Sequence, residues 1–311
     1  MDIAIIGAGM AGLTCARRLS GMGHTVRVFD KGRGPGGRMS SRRVELDGKT
    51  LRFDHGAQYF TVHDERFRRQ VEEWEADEIV APWPAAKEGP WVGIPAMNAP
   101  IRAMAAEAEV RFGARIDSIR KVGTVWRLSG EGAPDTGFDA VISAVPAEQV
   151  APLLSPNAPD IAQLAEATTS EPCWTVMVAF EDRPDLADTI RHAGPIGWAA
   201  RNSSKPGRGE GECWVVQGSP EWSRENLEAE KEAIETLLLE QLRNLAGGTL
   251  PAIRHASAHR WRYAMCGDAG VGAIWNGNEH IGACGDWLHG PRAENAFLSG
   301  WELAQKVIDE G

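Results

Sequence analysis

The sequence is poor in cysteine, in tyrosine and in long apolar runs, and it carries no surplus of positive charge. Its five cysteines (Cys15, Cys173, Cys213, Cys266 and Cys284) are odd in number, widely spaced and form no CxxC pair. That pattern excludes a disulfide framework and a cysteine-based zinc site, and no metal is expected; it fits a reducing, cytoplasmic setting. No apolar run approaches the ~20 residues that span a bilayer, and the apolar N-terminus lacks the basic segment of a signal peptide. Lys and Arg number 33 against 43 Asp and Glu, a net charge of −10. A surface of that sign repels a phosphate backbone, so nucleic acid is not an expected partner; without a spanning run, neither is a membrane.

What is present describes an ordinary globular chain: 311 residues, 43% apolar and 24% charged. Glycine (35) and proline (18) exceed their combined usual share of about 12%, so turns and close backbone approaches are abundant. Twelve Trp against two Tyr suggest flat apolar walls.

Ile3-Ala4-Ile5-Ile6 is an apolar run ending in glycine, the pattern of a buried parallel strand. A helix over 11–19 and a strand over 26–29 complete a βαβ unit. A glycine-rich loop (31–38) leads to a hairpin around Asp47-Gly48. Phe67, Val71 and Trp74 mark a helix over 64–78. Residues 81–100, rich in Pro and Trp, read as loop, with Asn98 capping a following helix through Ile101 and Met104. Further strands are expected over 116–128 (strand-turn-strand), 138–145, 173–180, 213–217 and 280–284, and helices over 227–245 and 292–308.

Gly7-Ala8-Gly9-Met10-Ala11-Gly12 is a GxGxxG placed after a strand and before a helix. Gly7 permits the turn, Gly9 lets a pyrophosphate approach the backbone, and Gly12 allows close helix–strand packing. The helix N-terminus offers free N–H groups and partial positive charge to phosphates. Asp30, at the end of the second strand, is placed to accept from a ribose hydroxyl. This constellation points to a dinucleotide without choosing between NAD and FAD.

Gly36-Gly37-Arg38 just after the acidic residue, and Ile281-Gly282-Ala283-Cys284-Gly285-Asp286 near the C-terminus, carry that choice. Here the sequence resembles the glutathione-reductase-like flavoproteins, in the branch of amine oxidases, phytoene desaturases and renalase. The resemblance implies an α/β fold: a Rossmann-like FAD-binding domain with an inserted α+β substrate domain built on a mainly antiparallel sheet. The signals lie at both chain ends and in the middle. The expected division is therefore FAD-binding parts over 1–75, 111–152 and 276–311, and substrate-domain parts over 76–110 and 153–275. FAD is expected to be noncovalent, since no cysteine stands in a tethering pentapeptide. The resemblance implies FAD contacts from Gly7, Gly9, Met10, Ala11, Gly12, Asp30, Lys31, Gly36, Gly37, Arg38 and Met39. It adds Gly56, Ala57, Gln58, Ile116, Ala144, Asp286, Arg292, Ala293 and Asn295, with Asp286 on the ribityl chain.

The segments 54–61, 91–98, 200–208 and 259–264 narrow the resemblance to bacterial renalase-like proteins. It implies oxidation of 2- or 6-dihydro isomers of NAD(P)H to NAD(P)+, with O2 reduced to H2O2. Pocket candidates are Gln58, Tyr59, Phe60, Thr61, Met97, Asn98, His259, Trp261 and Trp287. Taken singly, the tryptophans fit core packing as well, and His259 fits a structural role better than a catalytic one.

A dihydropyridine that loses hydride becomes an aromatic cation, so the reaction needs no base, only a ring held flat at near-attack distance. That suits the lack of a Ser/His/Asp or Cys/His constellation. The alternatives are a flavin amine oxidase and a non-catalytic FAD-binding protein. Against the first, the strand over 173–180 carries no lysine, and Lys205, in a Ser-Ser-Lys-Pro loop, is expected to be solvated or to face a substrate phosphate.

Overall fold

Strand β1 (Asp2–Ile6) is buried at every position after Asp2, as a strand covered on both faces requires. The computed structural model describes residues 1–87 and 89–310. The chain passes through α1 (Met10–Gly21) into β2 (Thr25–Asp30), which lies parallel to β1. Strands β3 (Arg42–Leu46) and β4 (Lys49–Phe53) form the expected hairpin. Asp47 and Gly48 close it, both at positive φ (51° and 74°), the twist that two-residue hairpin turns demand. Helix α2 (Glu65–Ala76) is capped by the Asp64 carboxylate, which accepts from the Arg66 N–H, and it buries Phe67, Val71 and Trp74.

The segment read as loop over 81–100 contains a short hairpin, β5 (Val80–Pro82) with β6 (Trp91–Gly93). Proline at a strand end hides so short a pair from a periodicity reading. Helix α3 (Ala99–Ala106) follows Asn98, but the Asn98 side chain does not cap it. Its Nδ2 donates instead to the Pro35 carbonyl at 3.3 Å, and its φ of −80° and ψ of 3° are not the extended geometry of a side-chain cap. Strand β7 (Glu109–Phe112) returns to pair with β2. Strands β8 (Arg115–Val122) and β9 (Val125–Glu131) form an antiparallel ribbon, and β10 (Ala140–Ser143) lies parallel to β1.

Helices α4 (Ala147–Leu154) and α5 (Pro159–Glu166) precede a second sheet. It is built from β11 (Glu171–Phe180), β12 (Thr189–Ala193), β13 (Ile196–Arg201) and β14 (Glu212–Gly218). The helix expected over 227–245 forms as α7 (Lys231–Leu245), with the apolar stripe of Ile234, Leu238, Leu239 and Leu242; a separate short helix, α6 (Pro220–Glu225), precedes it. Strand β15 (Ile253–Met265), unmarked in the sequence reading, is half-exposed along its length and so lacks an apolar run. Strands β16 (Ile274–Asn276) and β17 (Ile281–Ala283) and helix α8 (Ala293–Glu310) close the chain.

Two main sheets result. The first runs β16-β17-β10-β1-β2-β7, parallel except for β16; the second runs β12-β13-β14-β11-β15 and is antiparallel throughout. The chain leaves the first sheet and returns to it as β7, β10 and β17, the interleaving that the scattered motifs require. One face of the second sheet packs Trp174, Val176 and Trp214 on α7. On the other face, Met177, Ala179, Cys213 and Val215 meet Leu51 and Phe53 of the β3–β4 hairpin. Further along that face the sheet looks toward the nucleotide-type loop.

Candidate active site

The glycine loop is shaped by close approach. Gly7 sits at φ 111°, where a Cβ would lie 2.6 Å from the Ala144 carbonyl oxygen, and a Cβ on Gly12 would lie 2.0 Å from that of Gly7. Gly9 is different: nothing lies within 4 Å of where its Cβ would be. The space that a pyrophosphate needs is therefore open at the one glycine whose role is to admit it. The Asp30 carboxylate accepts from the Ala8 N–H (2.7 Å) and the Gly32 N–H (2.6 Å), tying the loop to the end of β2.

A cavity of about 510 Å³ opens from this loop toward the second sheet. Gly9, Met10 and Ala11 line one side, so the first turn of α1 presents backbone N–H groups to it; Arg292, Ala293 and Ala296 bring the start of α8. Arg38 donates to Asp286 at 2.5 Å within the wall. Burial and the nearby Asp286 push the adjacent Cys266 thiol up to about 12, so it stays protonated.

Strand register sets the opposite wall. Trp198 on β13 pairs with Gln217 on β14, Gln217 with Thr175 on β11, and Thr175 with His259 on β15. These four share one face, and the neighbouring pair Cys173 and Trp261 continues it. Of them, Trp198, Gln217, Cys173 and Trp261 line the cavity, with Tyr59, whose ring centroid lies 5.5 Å from that of Trp198. Burial raises the Cys173 thiol to about 11, so it too is neutral.

The structure brings many of the sequence-derived candidates to this cavity. Gly9, Met10, Ala11, Gly36, Arg38, Met39, Gly56, Ala57, Gln58, Ala144, Asp286, Arg292 and Ala293 line it, as do Tyr59 and Trp261. Others lie elsewhere. Lys31 reaches out to Gln149, Ile116 packs beside the ribbon's core, and Asn295 Nδ2 donates to the His289 and Gly290 carbonyls. Gly7, Gly12, Gly37, Asp30 and Thr61 are outside the lining. Phe60 and Met97 are buried in the first sheet's core, and Trp287 is buried in the core around β10 and β17. Asn98 is occupied by Pro35.

His259 is also set back from the cavity, in a three-ring cluster. Its centroid lies 4.6 Å from that of Trp261 and 4.9 Å from that of His55, and Trp261 Nε1 donates to the His55 carbonyl at 2.8 Å. Burial lowers His55 to about 3 and His259 to about 4, helped by nearby positive charge. Both rings are neutral and support the indole that does reach the cavity.

Lys205 departs most from its expected place. It is neither solvated nor facing a phosphate: its side chain is fully buried, and Nζ donates to Asp54 at 3.1 Å and to Gln58 Oε1 at 3.2 Å. Arg208 joins the same carboxylate through Nε (3.0 Å) and Nη2 (2.6 Å), while Ser41 Oγ and the Met97 N–H bind its other oxygen. Burial lowers Lys205 to about 8, against the opposing pull of Asp54; Lys205 and Arg208 hold the Asp54 carboxyl far below its usual range despite its burial. The polar look of the Ser-Ser-Lys-Pro loop concealed this, because its partners lie about 150 residues earlier.

Open space at Gly9, two helix starts and a walled cavity fit a flavin dinucleotide. The fold and site define a two-sheet flavoprotein oxidoreductase. The chain belongs to the flavin containing amine oxidoreductase family, whose model matches residues 83–269, and a model for an NAD(P)-binding Rossmann-like domain matches residues 5–74. Its cofactor is FAD. Among curated proteins, 4,4'-diapophytoene desaturase of Staphylococcus haemolyticus is 45% identical over 64 residues, which is 21% of this chain and 12% of the desaturase. The match thus spans a small part of that relative.

Among solved structures, a protein of Exiguobacterium sp. 255-15, provisionally assigned as a protoporphyrinogen oxidase, superposes with a TM-score of 0.73. The identity is 12%, with 100% of this chain and 99% of that one covered. Wild-type putrescine oxidase bound to putrescine gives 0.67 at 13% identity, covering 99% of each chain. At these identities the likeness is one of fold. Among the described residues no helix is long and apolar enough to cross a membrane.

Proposed function

We propose that the chain is a renalase-like, FAD-dependent oxidase acting on 2-dihydro or 6-dihydro isomers of NAD(P)H. The net reaction is dihydronicotinamide isomer plus O2 plus H+ giving NAD(P)+ plus H2O2. In this reading the first sheet with its flanking helices (1–75, 111–152, 276–311) holds FAD noncovalently, and segments 76–110 and 153–275 form the substrate side of a cytoplasmic enzyme. Bound FAD supplies a hydride acceptor and the return of two electrons to O2.

The observation that carries the proposal is the absence of a free carboxylate and of any lysine from the cavity wall among the described residues; its one imidazole, His192, is exposed on β12. Lys205, whose Nζ donates to the cavity-lining Gln58, is sequestered by Asp54. Asp286, the one carboxylate in the lining, is engaged by Arg38. Cys173 is a neutral thiol. A cationic amine finds no unengaged anion there, whereas a dihydropyridine needs flat walls and no proton acceptor. Tyr59, Trp198 and Trp261 supply such walls, and their role is to hold the ring and exclude water.

The test is anaerobic mixing of the FAD-loaded protein with partly isomerised NADH while flavin absorbance is followed. Rapid bleaching by a 2- or 6-dihydro isomer, and none by ordinary 4-dihydro NADH, is expected. A flavin bleached by amines but by no dihydro isomer would replace this reading with an amine oxidase.

A further inference from the structure

Two glutamines meet at the Gly56 carbonyl, and they differ in what they leave over. Gln58 Nε2 donates to the Asp54 and Gly56 carbonyls, the latter at 3.2 Å, and its Oε1 accepts from Lys205 Nζ. Both ends of that amide are engaged. Gln217 Nε2 donates to the same Gly56 carbonyl at 2.9 Å. A carbonyl oxygen only accepts, so the NH2 group must face Gly56 and Oε1 must face away. Among the described residues that Oε1 has no donor, although Gln217 lines the cavity.

Its setting is rigid. Gln217 lies on the cavity face of β14 between its register partners Trp198 and Thr175. Two other polar groups of the lining are already used: Ser219 Oγ accepts from the Trp222 N–H, and the Cys173 thiol faces the Trp174 and Gly218 carbonyls. The wall therefore presents one oriented amide acceptor beside an indole.

We infer, resting on the dihydronicotinamide reading above, that Gln217 is the specificity-determining residue that accepts a hydrogen bond from the substrate's carboxamide N–H. A nicotinamide ring against the Trp198 and Trp261 walls carries one planar NH2 group at its edge. A fixed, donor-less oxygen selects for that group and against analogues that lack it, because such an analogue leaves the acceptor desolvated and unpaired. Gly56 acts as the positioning group, since its carbonyl fixes which way the Gln217 amide points.

The experiment compares two ligands on the FAD-loaded wild type by titration calorimetry. NAD+ carries the carboxamide; 3-acetylpyridine adenine dinucleotide replaces NH2 with CH3. The wild type is expected to bind NAD+ roughly 10-fold more tightly or better. In Gln217→Met the ratio is expected to collapse toward one, with flavin content unchanged. Equal binding of the two ligands by the wild type overturns the inference without needing any variant, and so does a ratio that survives in Gln217→Met. If the wild type oxidises dihydronicotinamides yet fails to discriminate, only the Gln217 assignment falls. If it is inert toward every dihydro isomer and binds no NAD+, both readings fall.

Discussion

Arg38 and Asp286 stand 248 residues apart in the chain and meet at 2.5 Å. One comes from the loop after β2, the other from the turn after β17, and their contact joins the two ends of the cofactor side across the cavity wall. The Arg38 guanidinium is held protonated by this carboxylate, although desolvation works against it. Asp286→Ala is expected to lower FAD affinity at least 10-fold, since a charge-assisted hydrogen bond is worth about 1.5–3 kcal/mol. Flavin fluorescence quenching on the apoprotein measures it. Full occupancy with unchanged affinity would sink the assignment.

Gly9 is the glycine of the loop with open space at its Cβ position. Gly9→Val should therefore fold, because no protein atom lies within 4 Å of a Cβ there, yet it should purify without flavin. Circular dichroism and the visible spectrum together test this. A yellow, fully loaded variant contradicts the phosphate-loop reading.

The buried cluster around Asp54 carries one anion and two cations. Removing the anion and removing one cation are therefore unequal. Asp54→Asn leaves Lys205 and Arg208 buried without a counter-charge, an expected loss of about 3–5 kcal/mol. Lys205→Met leaves a neutral Asp54–Arg208 pair and should cost clearly less. Denaturant unfolding of both variants decides it; equal losses would refute the charge argument.

His55 and His259 are lowered to about 3 and about 4 by burial. In the unfolded chain both titrate near 6.5. Between these values the unfolded state binds more protons, so stability is complete above about pH 6.5 and falls as the pH drops toward 4. The unfolding midpoint measured across this range should decline, and His55→Asn with His259→Gln should flatten the slope. A native profile that is level from pH 7 to pH 4.5 would falsify the neutral-ring reading.

Much of the cofactor side was legible because its signals are local. A strand, a glycine turn and a helix start within a dozen residues of one another, and their geometry follows from steric rules that need no distant partner. The short apolar runs at 3–6, 173–180 and 213–217 likewise declared buried strands. The hairpin at Asp47-Gly48 followed from two residues that tolerate positive φ. By contrast, β15 was invisible because its residues are largely polar and half-buried with no apolar run, and Asn98 read as a cap until its amide turned out to bind Pro35.

The sequence by itself therefore determined the glycine loop, the acidic end of β2 and the Gly-Asp turn near the C-terminus. Only the tertiary structure decided where Lys205 goes, that His259 backs Trp261 rather than facing the cavity, and that Gln217 stands in the wall with a spare acceptor. The reason is physical. A backbone conformation is set by neighbours in the chain, whereas the charge state of a buried lysine and the direction of an amide are set by partners about 150 residues away. Strand register and packing alone bring those partners together.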